Sequence, residues 1–248
     1  MAVVLIGIDD TDNDTSPGTG KLSQRLAKEI VRRGAKPLGI TRHQFLLDER
    51  IAYTSHNSGA CIAVEWAGPL SELAFTADLI AGWAAEGSDP GICITDYAGV
   101  DDEVVKWGWA ATREVLRQEH AVAIAEEHGI CLRVLGGSGD GIIGALASVG
   151  LRADGNEGRF LDLPGLRTLG EVVDHRQLKE LGIEVDHHLP VGAGASDMAR
   201  FTGDGALYKT MNWVRPRLVR GRAVWPVEWS EDERAWIGID RKKSRPLE

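Results

Sequence analysis

The chain has 248 residues and a net charge of −9, with 28 Lys and Arg against 37 Asp and Glu. That length supports a sizeable core, as one large or two small domains, and the acidic balance argues against a protein built mainly to grip nucleic acid, although it allows a local basic patch. No stretch approaches the roughly 18 uncharged apolar residues of a membrane span, so the expectation is a cytoplasmic protein that makes no membrane contact.

In chain order, the apolar run from Val3 to Ile8 predicts a buried strand. It ends in four carboxylates, Asp9, Asp10, Asp12 and Asp14. The outer ends of strands are where ligands gather in α/β proteins. Strand alternation would put Asp10 and Asp12 on one face and turn Asp9 away. Carboxylates this close resist ionising without a counter-charge, and Mg²⁺ suits a site of one or two carboxylates plus phosphate oxygens. Asp9, Asp10 and Asp12 are therefore the candidate metal ligands; the competing reading is a plain acidic turn. Neither a Ca²⁺ loop nor a P-loop is present, because Thr15 and Lys21 occupy the Gly and Glu positions of the former and Leu22 follows Gly20-Lys21 in the latter.

Ser16 to Gly20 is turn-rich, and Leu22, Leu26, Ile30 and Val31 then recur at helical spacing up to Gly34. Lys36–His43 and Gly59–Trp66 predict strands, Leu70–Ala85 a helix capped by Ser71 after Pro69, and Gly91–Thr95 a fourth strand. The order βαββαβ is that of a ferredoxin-like sandwich. Asp101 to about Gly129 has a helical pattern, with Val104, Val105, Trp109, Val115, Leu116, Val122 and Ile124 on its buried faces. Ile130–Leu135 predicts a further strand, followed by Gly136-Gly-Ser-Gly-Asp-Gly141 opening an apolar helix. Glycines let a backbone approach a ligand, and N–H groups at a helix start bind anions, so Gly137, Ser138, Gly139, Asp140 and Gly141 are candidate phosphate contacts. Tight packing explains such a turn equally well.

Leu169–Leu181 reads as partly helical. Asp186-His187-His188 has a metal-like pattern, but a lone triplet is more economically a structural or solvated one. Two β-rich runs around Arg220-Gly221 predict a hairpin, whose Arg215, Arg217, Arg220 and Arg222 alternate with Trp213 and Trp225; packing of the tryptophans inward is favoured over contact with RNA. Cys61, Cys93 and Cys131 lie apart in apolar runs without a C-x-x-C pair, which predicts buried, reduced thiols and no structural zinc site. The fold class expected is α/β (α+β): a ferredoxin-like βαββαβ lobe over residues 1–97 with the acidic loop, then a second α/β lobe over 98–248 with the glycine-rich loop and a C-terminal β-hairpin.

Four stretches, in this order, carry a family resemblance: Gly7-Ile-Asp-Asp-Thr-Asp12, Ile51-Ala-Tyr-Thr-Ser-His-Asn-Ser-Gly-Ala60, Ser88-Asp-Pro-Gly91 and Gly136-Gly-Ser-Gly-Asp-Gly-Ile-Ile-Gly-Ala145. Over roughly its first 150 residues the chain resembles the N-terminal part of the archaeal 2-agmatinylcytidine synthetases. That family uses ATP and Mg²⁺ to activate an anticodon cytidine of an isoleucine tRNA, which agmatine then attacks. The resemblance implies a nucleotide site including Gly7, Asp9, Thr11, His56, Asn57 and Gly59. The family's acidic loop runs into a Cys-Thr-Thr segment whose first Thr is phosphorylated. Here an insertion intervenes and the segment reads Gly18-Thr-Gly-Lys-Leu-Ser23, leaving Thr19 or Ser23 to fill that place, or neither. The sequence shows no counterpart of the family's OB-fold and zinc ribbon.

The activity expected is that of a Mg-dependent, ATP-binding phosphotransferase or ATPase, in which Asp10, Asp12, Lys21, Thr19 and Ser23 are the catalytic candidates and Lys21 or Arg42 neutralises developing charge. The acceptor is left open between a small molecule, RNA and the protein's own hydroxyl, and homo-oligomer formation is left open too. The alternatives are a nucleotide-binding module without turnover and a metal-dependent phosphohydrolase, whose Asp-x-Asp start Asp10-Thr-Asp12 matches.

Overall fold

Val3 to Ile8 alternate between two cores, and this places the first strand at the middle of the molecule. The computed structural model describes residues 1–54, 56–188, 206–211 and 214–239. Strand β1 (Ala2–Asp9) is followed by helix α1 (Thr19–Arg32), β2 (Lys36–Gln44), β3 (Ser58–Trp66), α2 (Phe75–Trp83) and β4 (Gly91–Asp96). The strands lie in the order β4-β1-β3-β2, all antiparallel, which is the ferredoxin-like arrangement. Val4, Ile6 and Ile8 face α1 and α2, meeting Leu22, Leu26, Ile30, Ala77 and Ile80. Leu5, on the opposite face, joins a second core.

That second face is covered by α3 (Asp102–Ala111), α4 (Gln118–Glu127) and α5 (Gly141–Asp154), with β5 (Cys131–Val134) on the sheet's outer edge. Sequence periodicity predicts one helix over Asp101–Gly129, but the chain breaks between α3 and α4. Val115 and Val122 are exposed, while Val104, Trp107, Gly108 and Ala111 are the buried residues of α3. The predicted Leu70–Ala85 helix likewise divides, into a 3-10 turn over Leu70–Ala74 and α2, with no side-chain cap from Ser71. Cys61 and Cys93 are buried as expected, and burial pushes the Cys61 thiol up to about 12. Cys131 is exposed, because β5 is an edge strand with one open side.

Helix α5 reaches the sheet through glycines. A methyl built on Gly7 of β1 would stand 2.0 Å from the Ala145 carbonyl oxygen, and one on Gly91 of β4 would stand 2.3 Å from the Gly141 carbon. Backbone therefore packs on backbone, a distance that a side chain at either strand position forbids. The same helix meets α3 through Gly108 and Gly150.

The sheet does not end at β2. Strand β6 (Arg159–Asp162) pairs antiparallel with it and leads to β10 (Arg217–Val219), β11 (Arg222–Ser230), β12 (Ala235–Gly238), β9 (Leu207–Lys209) and β7 (Val172–Asp174). Helix α6 (His175–Glu180) and β8 (Ile183–His188), parallel to β11, complete the described part of this lobe. Its own core includes Phe160, Leu178, Tyr208, Trp225, Val227 and Trp236. Arg220 and Gly221 sit at φ 50° and 75°, the twisted two-residue turn that suits a hairpin. Trp225 packs inward as expected; Trp213 lies outside the described residues. In Asp186-His187-His188, alternation along β8 sends His187 inward to the Tyr208 hydroxyl at 2.9 Å, while exposed His188 pairs with Asp186 at 3.0 Å. The triplet is structural.

Gly7→Ala is expected to lower stability by about 2 kcal/mol through overpacking of the α5 contact. Gly82→Ala, on the exposed end of α2 with nothing within 4 Å, is expected to raise it by roughly 0.5–1 kcal/mol. Thermal unfolding of the two variants checks this pair, and equal melting temperatures would remove the argument for a backbone contact at Gly7.

Candidate functional site

The acidic loop starts with a reversal of the chain. Asp10 has φ 51°, a left-handed conformation that Asp tolerates better than most residues. This breaks the alternation expected from a continuing strand. Asp9 consequently does not turn away: Asp9, Asp10 and Asp12 all line one cleft. Buried Thr11 donates its hydroxyl to Thr19 Oγ1 at 3.0 Å, and Thr19 in turn donates to Asp12 Oδ1 at 2.8 Å. Thr54 donates to the other Asp12 oxygen at 3.1 Å.

The glycine-rich loop reaches the same cleft through Asp89. Gly137 and Gly139 have φ 61° and 92°, and these left-handed turns present the Ser138 N–H to Asp89 Oδ1 at 2.5 Å. The Gly141 N–H donates to the Asp89 carbonyl at 3.1 Å, and Gln118 holds Asp140 Oδ1 at 2.6 Å. The loop thus already accommodates an oxyanion, the Asp89 carboxylate, on the Ser138 backbone N–H. Gly144, one turn into α5, gives Asp9 its space: a methyl there would stand 1.8 Å from Asp9 Oδ2.

Six carboxylates, Asp9, Asp10, Asp12, Asp89, Glu114 and Asp140, line the cleft. Phe45, Val115, Leu116 and Ile143 add apolar surface to the same lining, and Phe45 and Asp9 both flank Gly144. Residues 50–54 and 56–58 line it as well. Burial, reinforced by the neighbouring Asp10 and Asp12, pushes the Asp9 carboxyl up to about 8. Burial and then Asp89 push Asp10 up to about 6, against a hydrogen bond from the Asp89 N–H. A cation beside such carboxyls favours their ionised form. Asp9, Asp10 and Asp12 offer oxygen donors alone, the chemistry that suits Mg²⁺. They are not drawn to within 4.8 Å of one another, as Glu103, Glu127 and His128 are on the far side of α3. There His128 bridges Asp101 and Glu103, each at 2.9 Å.

The remaining sequence candidates divide. His56 is exposed and lines the cleft, whereas Asn57 lines it but is held by the Leu46 carbonyl at 2.7 Å. Thr19, Lys21 and Gly59 line an adjoining groove that shares Asp12, Thr54, His56 and Ser58 with the cleft. Ser23 is fully buried in α1, its hydroxyl donating to the Gly20 carbonyl at 2.8 Å, and Gly7 lies within the contact of β1 with α5. Asp89 and Thr54 were not among the residues singled out from sequence. Both fall inside the motif stretches quoted above, and the carboxylate directly before Pro90 is the local signal that could have pointed to Asp89.

Among solved structures, the fold is similar to that of TiaS in complex with an isoleucine tRNA and ATP, with 29% identity and a TM-score of 0.52 over 60% of this chain and 36% of that chain. Apo TiaS, described as a tRNA agmatidine synthetase, gives 28% and 0.51 over 60% of this chain and 35% of that one. A tRNA fluorescent labeling enzyme gives 28% and 0.51 over 60% and 36%. The chain thus spans little more than a third of the length of the proteins it matches. A further TiaS complex holds the same tRNA with AMPCPP and agmatine. No protein-family model and no curated protein matches the sequence. Among the described residues, no helix is long and apolar enough to cross a membrane.

The two raised carboxyls make stability depend on pH. Each binds a proton more tightly folded than unfolded, so its contribution is complete below the ordinary value of 3.8 and is lost as pH rises through about 6 for Asp10 and about 8 for Asp9. In metal-free buffer the melting temperature should therefore fall from about pH 5 to about pH 9, and the fall should be shallower in Asp9→Asn. Parallel profiles for wild type and variant would contradict the assignment.

Proposed function

We propose that the cleft binds ATP with Mg²⁺ and transfers or releases a phosphate, as the nucleotide-handling core of an ATP-dependent phosphotransferase or ligase. The observation that carries this reading is one cleft whose lining combines clustered carboxylates with apolar side chains. A nucleobase would pack on Phe45, Ile143, Val115 and Leu116, with the phosphates beside Asp9, Asp10 and Asp12 once a cation neutralises them. The likeness to a TiaS complex with ATP supports the same assignment.

In this reading Asp9, Asp10 and Asp12 hold Mg²⁺, which supplies charge neutralisation for the phosphates and their developing negative charge. Asp10 is positioned by its left-handed backbone and by the Asp89 N–H. Asp12 is oriented by Thr19 and Thr54. The Gly137–Gly141 loop offers its N–H groups to phosphate in competition with Asp89. Lys21, which lines the adjoining groove, would neutralise charge developing on the transferred group. Of the two candidate hydroxyls, Thr19 and Ser23, that of Thr19 touches an acidic-loop carboxylate, so it is the candidate self-acceptor; the other acceptors proposed are a small molecule or an RNA.

A binding module without turnover is favoured by one specific observation. The Thr19 hydroxyl is buried and engaged by both Thr11 and Asp12, and the Ser23 hydroxyl is buried in its helix. Labelled ATP with purified protein, with and without Mg²⁺, separates the two readings. Mg²⁺-dependent release of ADP or AMP is expected, reduced by about a hundredfold or more in Asp10→Ala. Binding of ATP without product identifies the module instead, and no binding in either condition removes the nucleotide reading.

A further inference from the structure

Arg42, Arg159 and Arg217 stand side by side across three strands. Arg42 of β2 is the register partner of Arg159 of β6, and Arg159 is in turn the partner of Arg217 of β10. Cross-strand partners project from the same face, so the three guanidinium groups share one side of the sheet over a span of about 10 Å. Like charges placed directly opposite one another destabilise a sheet. Arg215, two residues before Arg217, joins the row, and with Arg42 lines both of the grooves that flank it. Burial and then Arg159 lower the affinity of Arg42 for its proton; burial and then Arg42, Arg167 and Arg159 do the same for Arg215. The chain as a whole has nine more acidic than basic residues, so this concentration of arginine runs against its composition.

The row is connected to the acidic cleft. Arg42 Nε donates to Ser58 Oγ at 2.9 Å, and Ser58 lines both the cleft and the groove next to it. That groove also holds Gly18, Thr19 and Lys21, where α1 begins with no side chain capping it. A molecule anchored on the arginines would extend past Ser58 and Thr54 toward Asp12. Guanidinium forks match phosphate oxygens in pairs, which a row of lysines would not.

We propose that Arg42, Arg159 and Arg217, with Arg215, form an anchoring site for the phosphate group of a small phosphorylated acceptor, distinct from the site for ATP. Calling the ligand an acceptor rests on the phosphotransfer reading above; the anion site itself does not. A compact phosphate ester fits better than a nucleic acid backbone. The row spans the width of one or two phosphates, and Asp12, Glu157 and Asp162 on the same grooves repel a long polyanion.

The test is calorimetric titration of the whole protein in metal-free buffer with ribose 5-phosphate as probe, alongside a single-stranded oligonucleotide and, with Mg²⁺, ATP. Ribose 5-phosphate should bind wild type and Asp10→Asn alike. Arg159→Gln and the exposed Arg217→Gln should each weaken it at least about tenfold, and Arg159→Lys less, because the fork is lost but the charge kept. ATP affinity should be unchanged in the arginine variants. Absence of ribose 5-phosphate binding overturns the proposal, as does a tenfold loss of ATP affinity in Arg217→Gln, which would assign the arginines to the nucleotide's own phosphates. Oligonucleotide affinity that grows with length while ribose 5-phosphate fails to bind overturns it in favour of RNA. A melting temperature several degrees lower in both variants would make the row a structural one and equally overturn it. If ribose 5-phosphate binds but ATP is neither bound nor cleaved, the anion site stands and the phosphotransfer reading falls.

Discussion

The close backbone contact between α5 and the central sheet is the constraint on which the site depends. Gly7 and Gly91 on the strands, and Gly141 and Gly144 on the helix, remove the side chains that would otherwise hold the two layers apart. Only at this separation does the start of α5 arrive beside the end of β1. Gly144 then leaves room for the Asp9 carboxylate, and Gly141 can take the Asp89 carbonyl as its hydrogen-bond acceptor. Residues from three distant parts of the sequence, at positions 9–12, 89 and 137–144, meet because four positions carry no Cβ.

Around that contact the protein segregates charge. Burial, reinforced by neighbouring carboxylates, makes two of the cleft's aspartates hold their protons well above the ordinary range. Burial, reinforced by neighbouring guanidinium groups, weakens the hold of Arg42 and Arg215 on theirs. Asp12 and Ser58 stand on the boundary, each lining both cavities. Each cluster is the kind of arrangement a protein keeps for a charged ligand.

Much of this was legible in the sequence. The run Val3–Ile8 predicted the central strand, and turn signals with alternating periodicities gave the βαββαβ order that the strands follow. Asp9, Asp10 and Asp12 stood out because four carboxylates in six residues are electrostatically expensive. What was not legible depends on contacts distant in sequence or on single backbone angles. The inward position of Asp9 follows from the left-handed turn at Asp10, which local alternation cannot express. Between α3 and α4, Val115 and Leu116 line the cleft, a place that helical periodicity does not express. Asp89 matters through a loop nearly fifty residues away. The exposure of Cys131 reflects only its place at a sheet edge. Arg42, Arg159 and Arg217 read individually as surface cations, because their alignment exists only in the strand register.

Strand β6 has a consequence of a mechanical kind. It is hydrogen-bonded to β2 on one side and reaches β10 on the other, through Phe160 to the Pro216 carbonyl at 2.8 Å and Leu218 to the Gly158 carbonyl at 2.9 Å. A ladder resists shear along its length, so the ferredoxin-like sheet and the C-terminal sheet cannot swing about a hinge at this junction without breaking those bonds. The acidic cleft and the arginine row therefore keep a fixed spacing, like two marks on a ruler. The chain between β2 and β3 stands outside that ladder, and its residues 50–54, 56 and 57 line the acidic cleft.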